Sequence, residues 1–501
     1  MTAVTILSAC NREKKATDNS SSYEKEDPVK PHIYTLENGL KIYISVNKDE
    51  PKIQTAIAVR TGSKNDPSDN TGLAHYLEHM LFKGTSKIAT IDWETEKALI
   101  DKIADLYEQH KAESDPEKKK EIYKKIDSLS FIAATYAVPN EYDKLVSSIG
   151  GDRVNAFTSL EQTVYIAQIP SNELEKWAYL EANRFKELVL RLFHTELEAV
   201  YEEYNRGLDS DFSKVYETMY AELFKKHTYG TQTTIGKGEH LKNPSMKKIH
   251  EYFKTYYRPN NTAICLSGDV DPDKAFEIIK KYFSDWEKGE IPQKEVPKED
   301  PITQPVKKEV YGPQPEFIML GYRFPGVHSD ETVYLEVLEN VLQNGQAGLF
   351  DLNLLNKQKV LDAFVWADIN KDYSAFMMGG YPRQGQTLDE VRELLIGELE
   401  KIKKGEFDDW LVEAAVNNME LKRLKEMEKN WPRAMAMVDA FIWEMEWKKY
   451  VERWIRMKEI NKAKLMEFVQ KYFAENYVAI YKRQGQDTTI KKVEKPHITP
   501  L

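Results

Sequence analysis

The feature of this chain that most constrains its fold is an internal repeat. When the sequence is shifted over itself by 216 residues, EYFKTYYRPNNTAI at 251–264 lies over EFVQKYFAENYVAI at 467–480. Glu, Tyr, Asn, Ala and Ile coincide at matched positions, and each copy is typical of a helix followed by a strand. The sequence therefore predicts two similar domains, one in each half of the chain.

A segment rich in proline and charge separates the two copies and favours a linker. We expect five parts: an N-terminal segment with a flexible tether (1–28), a first domain (29–295), a linker (296–306), a second, homologous domain (307–487) and a C-terminal tail (488–501). Helical periodicity at about 92–137 predicts a charged helical hairpin inserted in the first domain. Alternating apolar runs around Asn38-Gly39 predict a β-hairpin. The predicted fold class is α+β, with a mostly antiparallel sheet packed by helices in each domain.

Composition excludes several classes of protein. Apolar residues form 41% and charged residues 30% of the 501 residues, which is typical of a globular chain. No apolar run approaches the roughly 20 residues of a spanning helix. The net charge of −10 is spread along the chain, and Lys and Arg form no aromatic-studded basic stripe, which argues against nucleic acid as a partner.

The two cysteines have different settings. Leu7-Ser8-Ala9-Cys10 resembles the lipobox of a bacterial lipoprotein signal, and a polar tether follows it. The apolar stretch before Cys10 is short and lacks a positively charged start, so either the true start codon lies upstream or the resemblance is chance. We expect an exported protein, periplasmic or anchored to the membrane by a lipid on Cys10. Cys265 lies in an apolar run, TAICLSGD, which predicts a buried strand and an inert thiol.

The chemistry is concentrated in TGLAHYLEHMLFKG, residues 71–84. His75 and His79 are four apart with Glu78 between them, whereas ten histidines in this length give about 0.2 such pairs by chance. On a helix both imidazoles face a common point, with Glu78 on a neighbouring flank. A catalytic zinc needs such nitrogen ligands, and a nearby glutamate can take a proton from its water. The pattern predicts a hydrolytic metal site; the alternative is a pair of structural histidines.

A third ligand must come from elsewhere, and TELEAVYEEYNRG at 195–207 is a source. Glu196 and Glu203 are seven apart, hence on one helical face, whereas Glu198 and Glu202 point elsewhere and are typical of solvated residues. His194 competes with them, although a histidine near a helix end is usually a surface residue. These residues leave the third ligand open.

HYLEH followed by ELEAVYEE resembles the pitrilysin/insulinase family of metallopeptidases, the inverzincins, whose histidine and glutamate motif is inverted relative to thermolysin-like enzymes. NGLKIYI, NAFTSLEQTVY, HTYGTQTTIG and YYRPNNTAICLSGDVD are similar to further family landmarks, so the resemblance covers roughly residues 30 to 485. It implies Zn²⁺ as cofactor with His75, His79 and Glu203 as ligands. It also implies Glu78 as general base and Glu196 as a residue that helps to orient the site.

The resemblance extends to the substrate. Asn155 and Ala156 match the edge strand on which the family's substrates add as an extra β-strand. That mode takes affinity from backbone hydrogen bonds and suits extended or unfolded peptides. A simple turn role is the alternative for Asn155.

One departure from the family concerns the second half. Family enzymes close two halves on each other like a clamshell, and the second half supplies an Arg and a Tyr seven residues apart. In LLNKQKVLDAFV these positions hold Asn356 and Ala363. The chain therefore resembles the zinc-bearing half of a clamshell, with the missing pair on a homologous partner subunit or in sequence beyond Leu501. A homodimer would contain two zinc motifs and no Arg/Tyr pair, which disfavours it.

The function implied is that of a zinc-dependent endopeptidase subunit. It would hydrolyse peptides or unfolded segments by metal-activated water and a glutamate base, in a heterodimer with its homologous partner. The alternative from another class is a non-catalytic assembly or peptide-binding subunit that kept the fold.

Overall fold

The computed structural model of the chain describes residues 26–487 and 492. Cys10, almost all of the expected tether and most of the expected C-terminal tail lie outside the described residues. Among the helices of the described part, none is both long and apolar enough to cross a membrane.

The first half of the chain builds a six-stranded sheet. In spatial order its strands are β1 (His32–Thr35), β2 (Lys41–Val46), β6 (Thr262–Gly268), β3 (Lys52–Val59), β5 (Thr163–Pro170) and β4 (Asp152–Thr158). β2 pairs with β6 in parallel, and the other neighbours are antiparallel. The predicted hairpin is confirmed, since β1 pairs with β2 across a turn in which Gly39 takes a left-handed φ of +92°.

The second half repeats this arrangement with five strands. In spatial order they are β7 (Val306–Gly312), β11 (Val478–Gln484), β8 (Phe317–Pro325), β10 (Tyr373–Tyr381) and β9 (Asp362–Asp368). The repeated segments end in β6 and β11, which each have one parallel and one antiparallel neighbour. The predicted α+β class with mostly antiparallel sheets is confirmed, whereas the domain boundaries stay a prediction.

Helices cover the faces of both sheets. Those of the first half are α1 (Leu73–Met80), α2 (Trp93–Ala112), α3 (Pro116–Ala134), α4 (Glu141–Ser148), α5 (Leu174–Lys186), α6 (Phe193–Leu208), α7 (Asp211–Leu223), α8 (Thr228–Thr231), α9 (Gly238–Leu241), α10 (Met246–Tyr256) and α11 (Pro272–Phe283). Those of the second half are α12 (Glu331–Leu342), α13 (Leu388–Lys404), α14 (Leu411–Glu426), α15 (Asn430–Ile442), α16 (Trp447–Lys458) and α17 (Lys462–Tyr472). In the stretch 92–137, α2 and α3 pack on each other, and each begins at an aspartate that accepts backbone N–H groups of the first turn, Asp92 and Asp115.

Each sheet is covered on one face by a helix from the other half. α15 lies on β3 and β6, where Met437 and Phe441 are buried in one cluster with Cys265. α7 lies on the second sheet, where Met219 packs in one cluster with Ile480. This exchange removes apolar surface of both halves from water, so the halves stabilise each other. Cys265 is buried on β6, as the sequence predicts.

Ion pairs also join the halves. The ammonium of Lys64 lies 2.8 Å from Glu161 in the first half and 2.9 Å from Asp372 in the second. Nε2 of His227 lies 3.3 Å from the same Asp372 carboxylate. Burial alone would raise the pKa of Asp372, but the His227 hydrogen bond and the Lys64 charge hold that pKa well below its usual value.

A smaller side chain in the core between α15 and the first sheet should destabilise the folded chain. Met437 is fully buried between α15 and the first sheet. We expect Met437→Ala to lower the free energy of unfolding by about 2–5 kcal/mol, because it removes buried contacts and leaves a cavity. Leu421→Ala on the exposed face of α14 is the control, with an expected change of about 0.5 kcal/mol or less. Urea denaturation followed by circular dichroism measures both, and equal midpoints for the two variants would contradict the exchange.

The Asp372 ion pairs predict a pH dependence of stability. A carboxylate whose pKa is lower in the folded than in the unfolded chain stabilises the fold above the unfolded pKa of about 3.9 and loses that effect as the pH falls. Asp372→Asn should therefore destabilise the chain at pH 7 and do so progressively less below about pH 4. The test is to measure the urea midpoints of wild type and variant at several pH values between roughly 3.5 and 7 and to compare the difference between them at each pH. A gap that stays constant over the range would show that Asp372 has no lowered pKa.

Candidate metal centre

The helix that carries the histidine motif begins at a fixed point. Gly72 takes a left-handed φ of +88°, and a Cβ there would lie 2.7 Å from the backbone oxygen of Ile235. The carboxylate of Asp66 accepts the backbone N–H groups of Gly72 and Ala74 at 2.6 and 3.0 Å. Burial raises the pKa of Asp66 to about 7. These contacts fix where α1 starts and hence the direction of its side chains.

Three side chains from two helices meet beside α1. Nε2 of His75 lies 3.3 Å from Nε2 of His79 and 3.3 Å from Oε2 of Glu203 on α6. Nε2 of His79 lies 3.7 Å from the same carboxylate oxygen. Within the described residues, this is the one group of three or more His, Cys, Asp or Glu side chains that could hold a metal ion together.

Glu196 holds one of the two imidazoles in place. Its Oε1 lies 3.0 Å from Nδ1 of His79, and its Oε2 lies 2.5 Å from the ammonium of Lys83. Burial alone would raise the pKa of Glu196, but these two partners lower it and keep the carboxylate charged. If Nδ1 of His79 donates its proton to this carboxylate, Nε2 is left with a lone pair that faces the cluster.

The donor set fits a metal ion such as zinc. Burial lowers the pKa of His75 to about 4, so this imidazole is neutral at pH 7. Burial alone would lower the pKa of His79, but the Glu196 hydrogen bond and the charges of Glu203, Glu196 and Glu78 raise it, so this group of side chains favours a positive charge at its centre. Tetrahedral ligands at about 2.1 Å from zinc lie roughly 3.4 Å from one another. The observed separations of 3.3 to 3.7 Å match that spacing.

Glu78 lies beside this cluster but is held by a different partner. Its Oε2 accepts a hydrogen bond of 2.5 Å from the hydroxyl of Thr158 at the end of β4. Burial raises the pKa of Glu78 above its usual value, and the Thr158 hydrogen bond offsets only part of this rise. A partly desolvated carboxylate of this kind is a stronger base than one in water.

The cluster opens into a cavity of about 610 Å³ next to the edge strand β4. Its lining residues come from α1, its following turn, β4, α6 and the segment before α9: His75, Glu78, His79, Phe82, Lys83, Asn155, Ala156, Phe157, Thr158, Glu196, Glu203, Thr234 and Ile235. β4 pairs with β5 along one edge, and no described strand pairs with its other edge. Asn155 and Ala156 therefore lie on a free strand edge that passes the cluster.

The position expected for His194 is wrong. It is 2% exposed rather than on the surface, because the inserted hairpin covers the start of α6. Its Nδ1 lies 2.6 Å from the hydroxyl of Tyr107, and its Nε2 lies 3.4 Å from Asp127. Burial lowers the pKa of His194 to about 4. It points into the packing between α6 and the hairpin, and the structure does not bring it to the cluster.

Three residues that support the site were missed from the sequence. Lys83 lies four residues after His79, so helical spacing could have indicated it. Thr158 lies two residues after Ala156, on the same face of β4. Asp66 is in a polar loop with no periodic pattern, and no sequence pattern singles it out.

Two family models match the chain. The model described as insulinase (peptidase family M16) matches residues 42–118, and the one described as the peptidase M16 inactive domain matches residues 245–419. Together they cover about half of the chain. The first match includes the histidine motif, and the second spans the linker and much of the second half.

Curated proteins of the same kind are distant in sequence. The zinc protease PqqE of Helicobacter pylori is 26% identical over 408 residues, which are 79% of this chain and 78% of that protein. The mitochondrial-processing peptidase subunit beta of Bos taurus is 25% identical over 265 residues, which are 52% of this chain and 44% of that protein. The chain thus matches most of PqqE and less than half of the second relative.

Solved structures show the same fold. A protease from Helicobacter pylori superposes with a TM-score of 0.74 at 22% identity, and the superposed part is 91% of this chain and 100% of the protease chain. The periplasmic protease PqqL from Escherichia coli superposes with a TM-score of 0.68 at 15% identity and covers 91% of this chain and 47% of that chain. With its motif, its two sheets and these relatives, the chain belongs to peptidase family M16, the insulinase family.

Proposed function

We propose that this chain is a zinc-dependent endopeptidase subunit that hydrolyses peptides or unfolded segments. One observation carries the proposal. The carboxylate of Glu78 lies beside a cluster of His75, His79 and Glu203 whose spacing suits zinc, at a free strand edge. A metal site with only a structural role would need the three ligands but no adjacent base.

Each residue has a distinct part in this proposal. The chemistry that zinc supplies when bound is to lower the pKa of a ligated water and to polarise a carbonyl. With Oε2 engaged by Thr158, Oε1 of Glu78 takes the proton of the attacking water and returns it to the leaving amine nitrogen. Glu196 orients the imidazole of His79 through Nδ1.

The proposed substrate is an extended peptide. Asn155 and Ala156 on β4 offer backbone groups to a strand that adds at the free edge of the first sheet. Such binding takes affinity from main-chain hydrogen bonds, so the sequence preference of the substrate should be loose.

The proposed assembly is a clamshell with a homologous partner in a heterodimer. Asn356 and Ala363 stand where the resemblance implies an Arg and a Tyr, and the buried Ala363 on β9 cannot supply a hydroxyl. The chain covers 47% of PqqL, and one curated relative is named as a subunit, which supports a two-half arrangement. A homodimer would lack the Arg/Tyr pair and is disfavoured.

The alternative is a non-catalytic assembly or peptide-binding subunit. The description of one matching family model as an inactive domain favours this alternative for the second half. Export is also proposed, since PqqL is described as periplasmic and Leu7-Ser8-Ala9-Cys10 resembles a lipobox.

Zinc binding should depend on Glu203 and not on its neighbour. We expect Glu203→Gln to weaken zinc affinity roughly 100-fold, because an anionic oxygen ligand becomes neutral. Glu202→Gln, an exposed acid next to it on α6, is the matched control and should bind zinc as the wild type does. Competition with a chromogenic chelator measures both affinities. Equal zinc affinity in all three proteins would show that Glu203 is not a ligand.

Peptide hydrolysis should depend on Glu78 while zinc binding does not. We expect Glu78→Gln to retain zinc and to lose about 10²- to 10⁴-fold in kcat, because the amide cannot accept the proton of water. A quenched-fluorescent peptide library, with Glu202→Gln as control, measures turnover by the chain alone and with added homologous subunits. Cleavage by Glu78→Gln at the wild-type rate would refute the role of this base. Zinc-loaded wild type that never cleaves, under either condition, would favour the binding subunit.

A further inference from the structure

A polar joint between the two halves lies close to the candidate metal centre. Its centre is Glu161, which belongs to the turn between β4 and β5 (159–162), hereafter the β4–β5 turn. Glu161 is 3% exposed, and its carboxylate has three partners. It accepts hydrogen bonds from the ammonium of Lys64 at 2.8 Å, from the hydroxyl of Tyr229, and from the backbone N–H of Lys371 at 2.8 Å.

The last of these contacts comes from the second half. Lys371 and Asp372 lie in the turn between β9 and β10 (369–372), hereafter the β9–β10 turn. The backbone N–H of Asp372 also donates to the hydroxyl of Tyr229 at 3.2 Å, and its carboxylate binds Lys64 and His227. The two turns are thus held together through buried groups from NAFTSLEQTVY and HTYGTQTTIG, two stretches that the catalytic proposal uses only in part.

The joint reaches the site through a short, tightly packed path. Glu161 lies three residues after Thr158, whose hydroxyl donates to Glu78. Two backbone hydrogen bonds of 3.0 Å join the β4–β5 turn to the segment before α1: Ser63 N–H donates to the oxygen of Ser159, and Lys64 N–H donates to the oxygen of Leu160. A Cβ at Gly62 would lie 2.3 Å from the oxygen of Ser159, so the turn packs directly on the backbone before α1.

We propose that Glu161 is a positioning residue, through which the second half of the chain holds the β4–β5 turn and thereby the hydrogen bond from Thr158 to Glu78. This inference rests on the proposed function of Glu78 as a base. It gives the second half a role in the reaction that requires neither a metal ligand nor an Arg/Tyr pair. The halves then act as one unit, because the catalytic base is set by a contact that spans them.

The first test does not depend on catalysis. Hydrogen exchange followed by mass spectrometry reports the backbone N–H groups of Ser63, Lys64 and Ser159 in the folded chain. Glu161→Gln and Asp372→Asn should each speed exchange in peptides spanning 61–66 and 156–163 by about tenfold, since both loosen the β4–β5 turn. Glu444→Gln is the matched control, because Glu444 pairs with Arg60 across the same interface and with Lys371 within the second half, and no hydrogen bond or ion pair joins its carboxylate to that turn. Unchanged exchange in both variants, or an equal change in Glu444→Gln, would overturn the proposal.

The second test asks whether the effect passes through Thr158. Glu161→Gln should lower kcat about tenfold with KM and zinc content unchanged, and Thr158→Val should lower it at least as much. The double variant should be no slower than Thr158→Val alone, because both changes remove the same hydrogen bond to Glu78. Losses that multiply, or a loss that appears in KM or zinc content, would overturn the route through Thr158. If wild type shows no turnover that Glu78→Gln abolishes, the proposed function fails, and hydrogen exchange alone still decides whether Glu161 holds the turn.

Discussion

The position of Glu203 depends on a helix that the first half of the chain contributes to the second. α6 carries Glu203 and Glu196, and α7 follows it after a short turn and packs on the second sheet. α6 is therefore held at one end by the core of the first half and at the other by the fold of the second. α15 makes the reciprocal contact on the first sheet. Because opening these buried apolar contacts would cost free energy, the two helices that carry the candidate metal ligands are held at a fixed separation.

Among the described residues, the second half has no group of side chains like the candidate metal centre. Around the cluster, Glu78, Glu196 and Glu203 bring three carboxylates, which a dication and the ammonium of Lys83 would balance. α12 follows β8 as α1 follows β3, but it contains no histidine. There Glu336 is paired with the buried Arg453, whose other nitrogen donates to Thr332 at 2.9 Å. The acid on this helix is therefore paired with an internal arginine.

The sequence predicts which side chains share one face of a helix, because this depends only on the helical period. His75 and His79 face one point because they are four apart, and Glu196 and Glu203 share a face because they are seven apart. The fold class and the repeat are also predictable, since the periods of the apolar residues indicate helices and strands and the matching segments 251–264 and 467–480 indicate the repeat. Contacts between distant segments cannot be predicted from such patterns. The hydrogen bond from Thr158 to Glu78 and the contacts of Glu161 with the second half are therefore visible only in the structure. The exchange of α7 and α15 was also hidden, because an apolar helix face does not show which sheet it covers. His194 was misplaced for the same reason, since the burial comes from a hairpin 60 or more residues away.

We propose that this chain holds zinc between two helices next to a glutamate base. Anomalous diffraction at the zinc absorption edge, from crystals of the zinc-loaded chain, tests it most directly. We expect one strong peak about 2.0–2.2 Å from Nε2 of His75, Nε2 of His79 and a carboxylate oxygen of Glu203. A peak at another site, such as His194 and Asp127, or no peak at this cluster in zinc-loaded crystals, would contradict it.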